Sequence, residues 1–124
     1  FLYFIGEPPL PLFNSPGDMK LLWRVPGSAR PEDIVAFIGE QPKLLALFAQ
    51  RTRIDDACVH ALARTCPQLR FLDVAHTEVT NASITAVAQG CPQLLQLNVS
   101  HVQVTDVAVI ALAQGCPQLR QLDV

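Results

Sequence analysis

Three cysteines recur at an interval of 25 residues, Cys66, Cys91 and Cys116, and two histidines, His76 and His101, recur at the same interval. Thiols and imidazoles are the usual ligands of zinc and the usual partners in nucleophilic catalysis, so this spacing is the first thing to test. A zinc site needs its ligands clustered, as in C-x-x-C, and no such cluster exists here. Copies 25 residues apart would come within about 5 Å of one another on neighbouring parallel strands, which makes a disulfide conceivable. Its dihedral demands are strict, and the reading adopted is a column of reduced thiols packed under the strands. Cys58, at a small-residue helix position shared with Ser83 and Ala108, reads the same way. His76 and His101 in register suggest either a metal held with Asp73 or a response to acid pH, and duplication of one unit explains the coincidence without either. His60, at a variable helix position, reads as solvated. There is no G-x-S-x-G, no glycine-rich phosphate loop, no H-E-x-x-H, and no serine or cysteine with a base nearby. Asp55, Asp56, Asp73, Asp106 and Asp123 all have structural explanations as caps or strand-face residues. The expectation is a chain that is not an enzyme and holds no metal or cofactor.

The interval is more informative than the residues that first display it. Residues 66–90, CPQLRFLDVAHTEVTNASITAVAQG, are followed by residues 91–115, CPQLLQLNVSHVQVTDVAVIALAQG, and 13 of the 25 positions are identical. Residues 116–124 begin a further copy, and residues 41–65 keep the pattern with Gln41 in the cysteine position. A fixed period of this length is the mark of a solenoid. In the first half of each block Leu72 and Val74, two apart, have the period of a strand with one buried face. In the second half Ile84, Val87 and Ala88, then Val109, Leu112 and Ala113, have the spacing of one helix face. Asp55, Thr80 and Thr105 stand where N-caps are wanted, and Gly90 and Gly115 where a left-handed residue would close the helix. Cys-Pro then stops the helix and starts the next strand. Such a unit cannot bury its own apolar face, so stacked copies must share one core. The predicted fold is a right-handed α/β solenoid, with parallel strands on a concave face and short helices on a convex one.

The pattern C-P-x-L-x-x-L-x-V, then V-T-N or V-T-D, then a small-residue helix ending in L-A-Q-G, resembles the cysteine-containing leucine-rich repeat, over residues 41–124. That type is best known from F-box/leucine-rich-repeat proteins, the substrate receptors of cullin-based ubiquitin ligases. The resemblance therefore implies a leucine-rich-repeat fold and a role in protein recognition, with ubiquitin-ligase components among the partners. Thr77 and Val102 depart from the family pattern, standing where a second cysteine is common.

The remaining chain fits around these repeats. Residues 1–17, rich in Pro8, Pro9, Pro11 and Pro16, predict no regular structure. They read as an extended arm laying Leu10, Leu12 and Phe13 on the first repeat, as a linker, or as a P-x-x-P ligand from Pro8 to Pro11. Residues 18–40 are a degenerate repeat, with Leu21, Leu22, Trp23 and Val25 as a strand, a Pro26-Gly27-Ser28 turn, and Pro31 in the first turn of a helix. Ile34, Phe37 and Ile38 lie 25 residues before Val59, Leu62 and Ala63, so that helix stays in phase. Leu10-Pro11 and Trp23 are too close together to belong to an F-box, and these residues contain none. The chain is 50% hydrophobic with a net charge of −2, which recommends neither nucleic acid nor anionic lipid as a partner. No run of about 18 apolar residues suggests a membrane span. The opening FLYFIG is too short, and lacks the basic flank, for a secretory signal. Reduced cysteines imply a cytoplasmic or nuclear protein, with mitochondria also open. A start without methionine and an end within a repeat suggest a fragment of a longer solenoid.

With catalysis set aside, the surface remains. Between the core positions of each strand, side chains should point outward in two columns, Ala46, Phe71, Gln96 and Gln121, and Phe48, Asp73, Asn98 and Asp123. Aromatic rings beside carboxylates and amides are the material of protein-binding hot spots. Phe48, Phe71, Asp73, Gln96, Asn98, Gln121 and Asp123 are accordingly the predicted protein-binding residues, unless the arm or another domain covers the two rings. Arg70 and Arg120, alternating with Leu45 and Leu95, are placed nearer the rim. The expected function is non-catalytic protein–protein interaction, as the substrate-recognition part of an F-box-type ligase or as an architectural subunit of a large multiprotein or ribonucleoprotein assembly. A regulatory repeat domain attached to an enzyme is a third reading.

Overall fold

Nine elements alternate along the chain in the computed structural model, which describes residues 22–124. They are β1 (Leu22–Arg24), α1 (Pro31–Gly39), β2 (Ala46–Phe48), α2 (Asp56–Thr65), β3 (Phe71–Asp73), α3 (Asn81–Gly90), β4 (Gln96–Asn98), α4 (Asp106–Gly115) and β5 (Gln121–Asp123). The five strands form one open parallel sheet in sequence order. The arm expected over residues 1–17 and the strand start at Leu21 lie outside the described residues.

Each three-residue strand sends its middle side chain into the core. Trp23, Leu47, Leu72, Leu97 and Leu122 are in register across the sheet. Leu44, Leu69 and Leu94 enter one layer below, with Ala49, Val74 and Val99 one layer above, all buried. The helices close this core with Ile34 and Ile38, Val59 and Leu62, Ile84 and Val87, then Ala108 and Leu112. At about 25 cal/mol per Å² of apolar surface removed from water, these stacked columns are the main source of stability.

The strand pairing departs from the expected interval in one place. β2, β3, β4 and β5 pair at 25-residue offsets, but Leu22 pairs with Ala46 and Trp23 with Leu47, an offset of 24. The turn at Pro26-Gly27 is one residue shorter than its successors, so the helix stays in phase while the strand shifts. Trp23 thereby enters the leucine column and packs on Phe37, with ring centroids 4.0 Å apart.

Helix starts are tied to the preceding repeat. Asp55 caps α2 by accepting from the Cys58 amide at 3.1 Å, and Thr80 caps α3 through the Ala82 amide at 3.3 Å. Thr105 stands at the N-cap of α4 but makes no capping bond. It accepts instead from Asn81 Nδ2 at 2.8 Å, while its amide donates to Asn81 Oδ1 at 2.9 Å. One repeat earlier Asp56 does the same job, accepting from the Thr80 amide and hydroxyl at 2.8 Å each and from the buried Ser83 hydroxyl. Burial opposes ionisation of Asp56, but the bonds from Ser83 and Thr80 outweigh it and hold the carboxyl below its usual range. A carboxyl lowered in the folded state stabilises it above the unfolded pKa, 3.8, and that contribution is lost as pH falls through the folded value. Asp56→Ala is expected to cost about 1–3 kcal/mol near neutral pH, because Ser83 is left buried without an acceptor. Urea melts taken from pH 6 downward should show the acid-side loss shrinking in Asp56→Asn.

The glycines at the helix ends act otherwise than the left-handed cap expected of them. Gly90 and Gly115 are the last residues of α3 and α4 and neither has positive φ. A Cβ on Gly90 would lie 2.9 Å from the Ala63 carbonyl carbon, and one on Gly115 2.8 Å from that of Ala88, with the oxygens nearer still. These are points of close helix approach. Positive φ falls on non-glycine residues, Arg51, His76 and His101, at 60°, 56° and 58°.

The cysteines form the expected buried column and a ladder besides. Cys66, Cys91 and Cys116 donate Sγ–H to the carbonyls of Gln41, Cys66 and Cys91 at 3.3, 3.5 and 3.4 Å, and Cys58 donates to Pro31 at 3.4 Å. All four are free thiols. Burial pushes Cys58 and Cys66 up to about 11 and Cys91 up to about 12, and raises Cys116 too. Since the thiolate is the reactive form, iodoacetamide at pH 8 should label none of them in the native protein and all four in denaturant. Mass spectrometry of the two samples checks this.

Candidate functional site

The sheet face opposite the helices presents the strand side chains that the shared core does not use. On it the register aligns Leu22, Ala46, Phe71, Gln96 and Gln121 in one row, and Arg24, Phe48, Asp73, Asn98 and Asp123 in the next. The seven residues expected from the sequence, Phe48, Phe71, Asp73, Gln96, Asn98, Gln121 and Asp123, line one depression of about 130 Å³ on this face, together with Leu72 and Leu97 of the strands beneath.

Exposure changes along the row. Gln96, Gln121 and Asp123 are exposed, while Phe48, Phe71, Asp73 and Asn98 are half-buried. Ala46, expected outward and open, is 0% exposed. Its methyl lies between the longer Leu22 and Phe71 in register. Leu22 and Leu45 are also buried, although none of the three belongs to the main core cluster. The Leu22–Ala46 end of the first row is therefore apolar and closed, whereas Arg24 and Phe48 in the second row are half-buried and line a second depression with Arg51 and Asp73, and the β3–β5 half is polar and open. Arg70 and Arg120 are exposed just before their strands, as expected of rim residues.

Several of these side chains have local partners that sequence reasoning missed. Asp73 Oδ1 accepts from the Ala75 amide and Asn98 Oδ1 from the Ser100 amide, each at 3.0 Å. These Asx turns lead into the left-handed residues His76 and His101. The recurrence of Asp or Asn at 73, 98 and 123 was the available signal. Burial holds the Asp73 carboxyl above its usual value, and the charge of Asp123 adds to this, while the Ala75 amide and Arg24 oppose it. Gln96 Nε2 donates to Gln121 Oε1, and Gln121 Nε2 to Asp123 Oδ2, at 3.1 Å each. The Arg24 guanidinium lies over the Phe48 ring, 5.7 Å from its centroid.

The imidazoles of His76 and His101 stack with centroids 4.1 Å apart and ring planes inclined by 19°. Stacked rings present faces to each other, whereas a shared metal needs ring nitrogens converging in plane. Among the described residues no group of three His, Cys, Asp or Glu side chains is placed to hold a metal. What the depression offers is hydrogen bonding, negative charge and aromatic surface, the chemistry of recognition.

No protein-family model matches the chain, and no curated protein matches it in sequence. Similarity appears in the fold. Actin-binding site 2 of leiomodin-1 superposes with a TM-score of 0.65 at 17% identity, over 84% of this chain and 69% of that one. A structure of the Mex67:Mtr2 subunits of Chaetomium gives a TM-score of 0.62 at 20% identity, over 84% of this chain and 80% of that one. Among the described residues no helix is long and apolar enough to cross a membrane.

Proposed function

We propose that this chain is a non-catalytic protein-interaction module of the leucine-rich-repeat type, which recognises its partner through the open β3–β5 half of the sheet face. The observation that carries this reading is the depression itself. Its walls are carboxylate, amide and aromatic side chains set by the strand register on a rigid sheet. The fold resemblance is compatible: one similar structure is an actin-binding site of leiomodin-1 and the other contains the Mex67:Mtr2 subunits. The 25-residue repeat with its C-P-x-L-x-x-L-x-V core supports the leucine-rich-repeat assignment. Membership of a ubiquitin ligase rests on the sequence resemblance alone.

An architectural role is the second reading, favoured by the buried row of Leu22, Leu45 and Ala46, since strand positions already closed serve a scaffold better than a receptor. Affinity purification of the full-length protein from its own cells, beside a Gln96→Lys/Gln121→Lys variant, tests the proposal. A partner retained by the parent and lost by the variant supports recognition through this face. Loss of no partner sinks it. Cullin and its adaptor in the eluate would support the ligase role, and a fixed set of other subunits the architectural one.

A further inference from the structure

We propose that the partner enters the depression with an arginine side chain, its guanidinium lying above Asn98 between Asp73 and Asp123. The inference rests on the interaction reading above and names the chemistry of its central contact. Register places Asp73 and Asp123 on either side of Asn98, two strands apart, about 10 Å between backbones. A planar group over Asn98 is thus within reach of both carboxylates. Neither carboxylate forms an ion pair among the described residues. Each is only partly engaged: Asp73 by the Ala75 amide and the neighbouring Asn98 side chain, with Arg24 nearby, and Asp123 Oδ2 by Gln121. A carboxylate accepts about four hydrogen bonds, so acceptor capacity remains on both.

The charge layout favours a cation at this point. Arg70 and Arg120 are exposed three residues upstream of the two aspartates, about 10 Å along the strand. Over β3–β5 the C-terminal strand ends are therefore the acidic side, while Arg24 and Arg51 carry the positive charge at the β1–β2 end. Shape favours arginine over lysine. The depression lies across the strands at Leu72 and Leu97, whose side chains turn away into the core, and a flat guanidinium can lie over such a strand surface while donating sideways to several acceptors. The molecule already contains one such placement, Arg24 across the Phe48 ring at the edge of the same site.

A random peptide library displayed on phage and selected against the full chain tests this, with the selected peptides mapped by NMR on the labelled protein. The expected result is enrichment of arginine in peptides that shift the amides of Asp73, Asn98 and Asp123. Replacing that arginine by citrulline, which keeps the shape and removes the charge, should weaken binding about tenfold or more. Asp73→Asn/Asp123→Asn should do the same, and it keeps the turn, since Asn98 accepts from its own i+2 amide as Asp73 does. Peptides that bind this face but tolerate citrulline or the double variant would overturn the arginine inference and leave the interaction reading standing. Peptides that settle on the helices, or a selection that yields no binder to the sheet face, would overturn both.

Discussion

Leu72→Ala should lower the free energy of unfolding by about 2–5 kcal/mol, while Asp73→Ala, one residue along, should cost only about 1 kcal/mol. Leu72 is 2% exposed, in the middle of the leucine column between Leu47 and Leu97. Truncation there opens a cavity that neighbours on both sides are too firmly placed to fill. Asp73 points to the other face and holds only the Ala75 amide and neighbouring side chains. Chemical denaturation of both variants reads the difference directly. The reverse ranking would mean that the strand faces have been exchanged, because a slip of one residue moves every side chain to the opposite surface.

The second large effect comes from adding atoms. Gly90→Ala and Gly115→Ala each place a methyl against a backbone carbonyl of the preceding helix, Ala63 or Ala88. A carbonyl committed to its own helix cannot rotate away as a side-chain tip would. Relief therefore requires α3 to move off α2, or α4 off α3. Overpacking of this kind costs about 1–3 kcal/mol per site, so the double variant should lose about 2–6 kcal/mol. A Gly39→Ala control should be nearly silent, since a Cβ there meets nothing within 4 Å. Thermal melts of the three proteins test the contrast. An equal effect at Gly39 would show that helix-end glycine matters for its backbone freedom rather than for close approach.

The repeat made much of this architecture legible in advance. Duplication displays the same environment several times, so Leu47, Leu72 and Leu97 confirm one another as a column in a way that one strand cannot. The same repetition put Phe48, Asp73, Asn98 and Asp123 on one face, and the structure gathers them at one depression. What escaped the reading lies between units. The shortened turn after β1 was hidden because a deletion in a loop leaves the periodicity on each side intact. The Asp56 and Asn81 clamps were hidden because both residues satisfy ordinary helix-start preferences. The closed state of Ala46 was hidden because alternation assigns a side chain to a face and says nothing of what lies over it. The role of Gly90 was misjudged for a related reason. Helix C-termini favour glycine on conformational grounds, and close packing against a neighbour selects the same residue.

The row of parallel strands also determines how the molecule would yield to mechanical load. Pulled along the row, each interstrand hydrogen bond lies nearly along the force, so bonds are loaded a few at a time and the sheet opens as a zipper. Each unit that detaches gives up a spacing of about 5 Å and releases 25 residues, about 85 Å of extended chain. The Asp56 and Asn81 clamps, which join α2 to α3 and α3 to α4 rather than strand to strand, are latches that the steps separating those helices must break. Under tension along the row the stack is thus a stepwise extensible tether.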